Sequence, residues 1–224
     1  MIELREVSHS FGERPVLRDV TLTLAERRIG VVGANGSGKS TFARLLNGLL
    51  LPGRGTVLVD GIDTRRDARA VRRRVGFVFQ DPDVQIVYPT VEEDLAFGLK
   101  NLRLDKAEVA RRVDAALDRF GLAAQRRQSA HVLSGGEKQL LAIAGVLAME
   151  PATVVFDEPT TLLDLRNRRR IAAAIRDLPQ QAIVVTHDLD LLADFDRVVA
   201  LDEGKVMADG APAAVIDAYV RRMG

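Results

Sequence analysis

The run Gly33-Ala34-Asn35-Gly36-Ser37-Gly38-Lys39-Ser40 matches G-x-x-x-x-G-K-[ST], a loop that can wrap a phosphate. Its glycines let backbone N–H groups turn toward an anion with no Cβ in the way. The stretch from Lys39 to Gly48 reads as a helix. Its N-terminus offers free N–H groups and a positive dipole end to the same anion. Lys39 would reach the outer phosphates of a triphosphate, and the Ser40 hydroxyl would ligate Mg²⁺. A second chemical unit is Thr153-Val154-Val155-Phe156-Asp157-Glu158, an apolar run that ends in two adjacent carboxylates. Asp157 suits the magnesium shell, and Glu158 suits a base that orients an attacking water.

These groups need rigid elements behind them. Strand-like apolar runs alternate with helical stretches, which reads as α/β with a mostly parallel sheet. Ile2 to Val7 and Val16 to Leu24 read as strands around a turn at Phe11-Gly12. Further strands are expected at Ile29 to Gly33, Thr56 to Val59, Val75 to Phe79, Thr153 to Phe156, Ala182 to Thr186 and Val198 to Leu201. From Asp81 the pattern becomes helical, with apolar residues three and four apart in Val91 to Lys100 and Lys106 to Phe120, and Ser134 opening a third helix. The reading is one domain over residues 1–224, an α/β core with a helical lobe inserted at roughly 81–145 and no extra C-terminal domain.

Composition narrows the function. Lys plus Arg is 32 against 31 Asp plus Glu, a formal net charge of +1, so no general electrostatic case exists for nucleic acid. The arginine runs Arg65 to Arg74 and Arg166 to Arg170 read as solvated helix faces. The chain has no cysteine, which excludes disulfides, Cys-ligated zinc and thiol chemistry. No run reaches the 18 or so apolar residues that span a bilayer. The start, MIELREVSHSFGERP, has no apolar signal core.

Leu133-Ser134-Gly135-Gly136-Glu137-Lys138-Gln139 separates this chain from other phosphate-loop proteins. Ser134 is an N-cap candidate followed by two glycines, a second helix N-terminus stripped of side chains. The run resembles the LSGGQ signature of ATP-binding-cassette (ABC) ATPases, and the resemblance extends over nearly the whole chain. It implies a P-loop NTPase (RecA-like) core with an N-terminal antiparallel β subdomain and an inserted helical subdomain. It also implies hydrolysis of ATP with Mg²⁺ by two subunits that sandwich two nucleotides. Gly33, Asn35, Gly36, Ser37, Gly38, Lys39, Ser40 and Thr41 would then hold the phosphates. Phe11 would stack on adenine, and Gln80 would sense Mg²⁺ and the water. Glu158 would be the catalytic carboxylate and His187 the switch histidine on the γ-phosphate. Ser134, Gly135, Gly136 and Asp164 would complete the opposite subunit's site. Two positions depart from the pattern: Leu140 stands where a basic residue is usual, and Leu162 where a small one is usual, both near the expected subunit contact.

The segment from Phe79 to Gly98, FQDPDVQIVYPTVEEDLAFG, resembles the energy-coupling-factor group of vitamin and metal importers, with Gln85 as a second glutamine in a short helix after Gln80. Apolar Val84, Ile86, Val87 and Tyr88 would offer a patch to a helix of a transmembrane subunit. Chain size and Asp157-Glu158-Pro159-Thr160-Thr161-Leu162-Leu163-Asp164 most resemble the ATPase of biotin importers. The implied partners are a second ATPase subunit, a transmembrane coupling subunit and a substrate-binding membrane subunit, with the chain peripheral on the cytoplasmic face of the membrane. Cobalt or nickel importers of the same group, and non-transport ABC ATPases, are the alternatives.

Overall fold

The computed structural model describes residues 1–161 and 163–223. Contacts divide the chain into two compact units: Met1–Gly76 with Ala152–Glu158 and Leu178–Gly224, and Phe77–Pro151 with Pro159–Asp177. Along the chain run strands β1 (Ile2–Phe11), β2 (Arg14–Leu24) and β3 (Arg28–Gly33), helix α1 (Lys39–Leu46), strands β4 (Arg54–Val59) and β5 (Ile62–Asp63), helix α2 (Ala68–Arg74) and strand β6 (Val75–Val78). There follow helices α3 (Val91–Lys100), α4 (Lys106–Phe120) and α5 (Gly135–Ala148), strand β7 (Thr153–Asp157) and helix α6 (Leu165–Arg176). The chain closes with β8 (Gln181–Val185), β9 (Arg197–Asp202), β10 (Lys205–Gly210) and α7 (Pro212–Met223).

The first unit contains an antiparallel sheet ordered β2-β1-β4-β5. The larger sheet is ordered β10-β9-β3-β8-β7-β6. It is parallel from β9 through β7, with β10 antiparallel on its edge. Strands β3 and β7 are buried at every position, as parallel strands covered on both faces must be. Gly30 in β3 is bare for a packing reason, since a Cβ there would stand 2.8 Å from Leu192 Cδ2. Leu192 belongs to the core cluster of Val32, Val198, Ala200 and Val215, the last of these from α7.

The second unit is helical, and each of its principal helices starts on a side-chain cap: Thr90 for α3, Asp105 for α4, Ser134 for α5 and Asp164 for α6. Helix α4 stops at Gly121, which is left-handed at φ 63°. Helix α5 is buried along most of its length, which suits its nearly all-apolar sequence. Leu140 lies in that interior at 3% exposure. Its side chain packs inside the helical unit, where an apolar residue suits the surroundings. Leu162, the other departure, lies outside the described residues. No described helix is long and apolar enough to cross a membrane.

Candidate active site

Strands β3, β7 and β8 end side by side in the first unit, and the candidate catalytic groups sit at their carboxyl ends, where parallel sheets bind ligands. Residues 34–38 make the whole connection from β3 to α1. Gly36 and Gly38 are left-handed, at φ 82° and 100°. A Cβ on Gly33 would lie 2.3 Å from the Leu201 carbonyl oxygen, and one on Gly38 would lie 2.8 Å from that of Val16. The loop is thus hemmed in by β9 and β2. The Gly204 N–H also donates to the Ser37 carbonyl at 3.2 Å, so the β9–β10 turn braces it from outside.

The loop fits a phosphate on two counts. Helix α1 has no side-chain cap and no acidic residue in its first turn, which leaves its first N–H groups for an anion. The Ser37 hydroxyl is buried without a hydrogen-bond partner, an orphan that a native interior rarely tolerates without a ligand or water. Asn35 and Thr41 complete the stretch, Asn35 half to fully exposed on the loop and Thr41 buried in α1.

Lys39 is buried, and its Nζ donates to the carbonyls of Gly33 at 2.8 Å and Ala34 at 3.0 Å, curling back over the loop. Burial pulls its pKa below the usual lysine value, while the charges of Glu158 and Asp157 hold it up. Burial pushes Asp157 above the usual carboxylate range, against the hydrogen bond from Ser40 and the charges of Arg44 and Lys39. The Ser40 hydroxyl donates to Asp157 Oδ1 at 3.0 Å. These two hard oxygens fit Mg²⁺. Among the described residues no three His, Cys, Asp or Glu side chains gather into a cage. A cation here would therefore take its remaining ligands from phosphate and water, as magnesium commonly does.

Glu158 follows β7 in a left-handed conformation, φ 51°. Its N–H donates to the Val185 carbonyl at 2.8 Å, pinning it to the end of β8. Its carboxylate Oε2 accepts from the His187 backbone N–H at 3.3 Å and lies 2.7 Å from His187 Nδ1. The carboxylate is 9% exposed as a residue, whereas the histidine ring is open to solvent. A buried acceptor and an exposed ring are thus held together at the strand ends.

Phe11 tips the β1–β2 hairpin of the same unit and is 53% exposed. It is not a core side chain; the ring that touches it is that of His9.

The other predicted residues belong to the second unit. Gln80 is exposed between β6 and a short 3-10 turn, Pro82–Val84. Gln85 follows that turn instead of lying within it. Its Oε1 accepts from the Phe79 N–H at 3.1 Å, and its Nε2 donates to the Ala142 carbonyl of α5 at 2.9 Å. Lys138 adds an ion pair to Asp83 at 2.7 Å. Of the four apolar residues nearby, Val84 and Val87 are exposed, Ile86 is buried, and Tyr88 stacks on Phe97 at 5.0 Å.

Ser134 caps α5 reciprocally with Glu137. The Ser134 hydroxyl donates to Glu137 Oε2 at 2.7 Å, and the Ser134 N–H reaches the same oxygen at 2.9 Å. Glu137 was not singled out from the sequence, although Ser-x-x-Glu before an apolar run spells a capping box. The two signature glycines differ. Gly135 has open space where a Cβ would be, while a Cβ on Gly136 would strike the Asn167 side chain at 2.3 Å. Gly136 is bare so that α6 can approach α5. Asp164 caps α6 through the Asn167 N–H at 2.8 Å.

Comparisons with known proteins match the chain to one family. The family model described as ABC transporter matches residues 17–161. A Deinococcus radiodurans protein, whose name gives an ABC transporter ATP-binding protein and no cargo, is 68% identical over 223 residues, covering 100% of this chain and 99% of its own. The biotin transport ATP-binding protein BioM of Rhizobium etli is 49% identical over 218 residues, 97% of each chain. The energy-coupling factor transporter ATP-binding protein EcfA1 of Symbiobacterium thermophilum is 50% identical over 193 residues, 84% of this chain and 67% of that one. Among solved structures, the dimeric post-hydrolysis state of the ATP-binding cassette MJ0796, bound to ADP and Pi, superposes with a TM-score of 0.85 at 28% identity, over 95% of this chain and 99% of that chain.

Proposed function

The chain belongs to the ABC transporter family as an ATP-hydrolysing subunit of the energy-coupling-factor type, and from that premise we propose that it powers biotin uptake from the cytoplasmic face of the membrane. The observation that carries the catalytic part is the cluster at the strand ends: Lys39, Ser40, Asp157, Glu158 and His187 converge there. Biotin is supported by the near-full-length match to the Rhizobium etli biotin transport protein.

In this reading the loop N–H groups and Lys39 bind the β- and γ-phosphates. Ser40 and Asp157 would hold Mg²⁺, which when bound neutralises charge on the phosphates. Glu158 accepts a proton from the attacking water as its oxygen bonds to the γ-phosphorus. The bond to the bridging oxygen breaks, and ADP leaves. Positioning and charge stabilisation supply most of the rate. His187 contacts the γ-phosphate from the exposed side.

The two units act as lobes of a single ATPase domain. Ser134, Gly135, Gly136 and Asp164 of one copy complete the nucleotide site of a second copy. The exposed Val84 and Val87 receive a helix of a membrane subunit.

The test is to tag the chain in its own cells, purify it with the membrane proteins that accompany it, and reconstitute them in vesicles. ATP-dependent accumulation of labelled biotin supports the reading. Accumulation of cobalt or nickel ions in its place would move the chain to the metal importers, and recovery on ribosomes or DNA would remove it from transport.

A further inference from the structure

His9 and Phe11 lie two apart on β1, near the tip of its hairpin with β2. Their rings meet edge to face, with centroids 4.9 Å apart and planes at 79°, a favoured aromatic geometry. The Leu51 carbonyl oxygen lies 3.0 Å from His9 Nδ1. A carbonyl only accepts, so Nδ1 carries the proton. Nε2 is buried and has no partner, so the ring is held by one hydrogen bond and by packing.

Strand pairing does not orient this ring by itself. The β1–β2 register shifts on both sides of His9, between Val7 and His9 and between His9 and Ser10. Leu51 lies in the connection from α1 to β4, and that connection runs close against the hairpin: a Cβ on Gly53 would be 3.3 Å from the Ser8 carbonyl oxygen. The hairpin that carries Phe11 is therefore tied through His9 to the segment that leaves the phosphate-loop helix.

We propose that His9 is a positioning residue for the nucleotide base: held by Leu51, it fixes the exposed Phe11 ring in the orientation that stacks on adenine. His9 touches no part of the nucleotide and acts through Phe11. The proposal rests on the reading of Phe11 as the adenine platform. An aromatic edge and a ring N–H donor are both needed at position 9, and histidine supplies both.

The test measures equilibrium binding of a nonhydrolysable ATP analogue and of inorganic tripolyphosphate to the full chain, in His9→Ala, His9→Phe, Phe11→Ala and the double alanine variant. His9→Ala and Phe11→Ala should each weaken the analogue by about three- to tenfold, the scale of one aromatic pair. Tripolyphosphate, which has no base, should bind unchanged. The double variant should bind no more weakly than Phe11→Ala, because interacting residues are non-additive. KM for ATP should rise with kcat retained. His9→Phe keeps a ring in the packed site and loses the Leu51 bond, so it should bind the analogue more weakly than wild type and tripolyphosphate unchanged, a comparison that stands even if the alanine variant unfolds. Equal weakening of tripolyphosphate, or losses that add, would overturn the role of His9. Unchanged analogue binding in both His9 variants, with Phe11→Ala impaired, would overturn it while leaving the adenine platform standing. Unchanged binding in Phe11→Ala would remove the platform itself.

Discussion

Glu158 and His187 meet through a single oxygen: Oε2 of the carboxylate takes the backbone N–H of His187 at 3.3 Å and lies 2.7 Å from its Nδ1. An ionised carboxylate only accepts, so Nδ1 carries a proton, and a neutral ring then presents a lone pair at Nε2. A lone pair repels a phosphate oxygen, whereas an imidazolium attracts one. While it stays on Glu158, His187 therefore serves a γ-phosphate only in its charged form. In the proposed reaction the base and the phosphate contact are thus coupled through the same bond.

Replacing Glu158 by Gln keeps the side-chain shape and removes the base. Hydrolysis should fall by about 10²- to 10⁴-fold, with ATP still bound and an ATP-dependent dimer accumulating. Phosphate release and sedimentation measure the two effects. A turnover rate close to wild type would strip Glu158 of its role.

Asp157→Asn should produce a more heat-resistant and inactive protein. Burial raises the pKa of Asp157, so the native state holds its ionised form at a cost that the unfolded chain does not bear. Its charge opposes folding in full above that raised value, and the cost fades as pH falls from there toward the ordinary value of 3.8. Asparagine keeps an oxygen for the Ser40 hydroxyl without the charge. The expected rise in Tm is about 2–4 °C, the size of a 1 kcal/mol change in a chain of this length. A scanning calorimeter showing a lower Tm would refute the account.

Ser134→Asn separates capping from catalysis. Asparagine caps as well as serine, so Tm should hold to within about 2 °C, whereas ATP-driven pairing of two copies should weaken because the hydroxyl is gone. Ser134→Ala should lose about 1 kcal/mol of stability in addition. If Ser134→Asn pairs and hydrolyses normally, the helix tip does not contact nucleotide.

Glu137 gives a pH prediction. Hydrogen bonds from Ser134, first its side chain and then its backbone, hold the carboxyl below the usual value of 4.5, helped by Gln125 and the charge of Arg170. Stability from the ionised form is complete above 4.5 and is lost as pH falls through the depressed native value. The Tm gap between wild type and Glu137→Gln should thus be steady near neutrality and shrink below that point. A gap that widens in acid would contradict the geometry of the cap.

Much of the site could be read in the sequence because local rules dictate it. Gly33 to Ser40 and Thr153 to Glu158 are continuous stretches whose spacing states their chemistry, and the helices Val91–Lys100 and Lys106–Phe120 follow their apolar periodicity. Long-range causes stayed hidden. The Leu201 carbonyl that excludes a Cβ at Gly33 is far away in sequence, and the Asn167 side chain that requires a bare Gly136 comes from another helix. Strand β5 went unread because it is two residues long, β10 because none of its residues is fully buried, and α7 because Val215 alone of its side chains is buried. Gln85 reads from the sequence as a second glutamine in a short helix, whereas in the structure its amide joins the Phe79 N–H to the Ala142 carbonyl. No pattern within its own segment records that bridge.

The backbone at Glu158 has a final consequence. A residue with a side chain costs about 1–3 kcal/mol in that left-handed basin, which glycine enters freely. Directed evolution for thermotolerance alone would drift toward glycine at this position and return a sturdier but inert molecule. Durability and turnover are opposed here at one torsion angle.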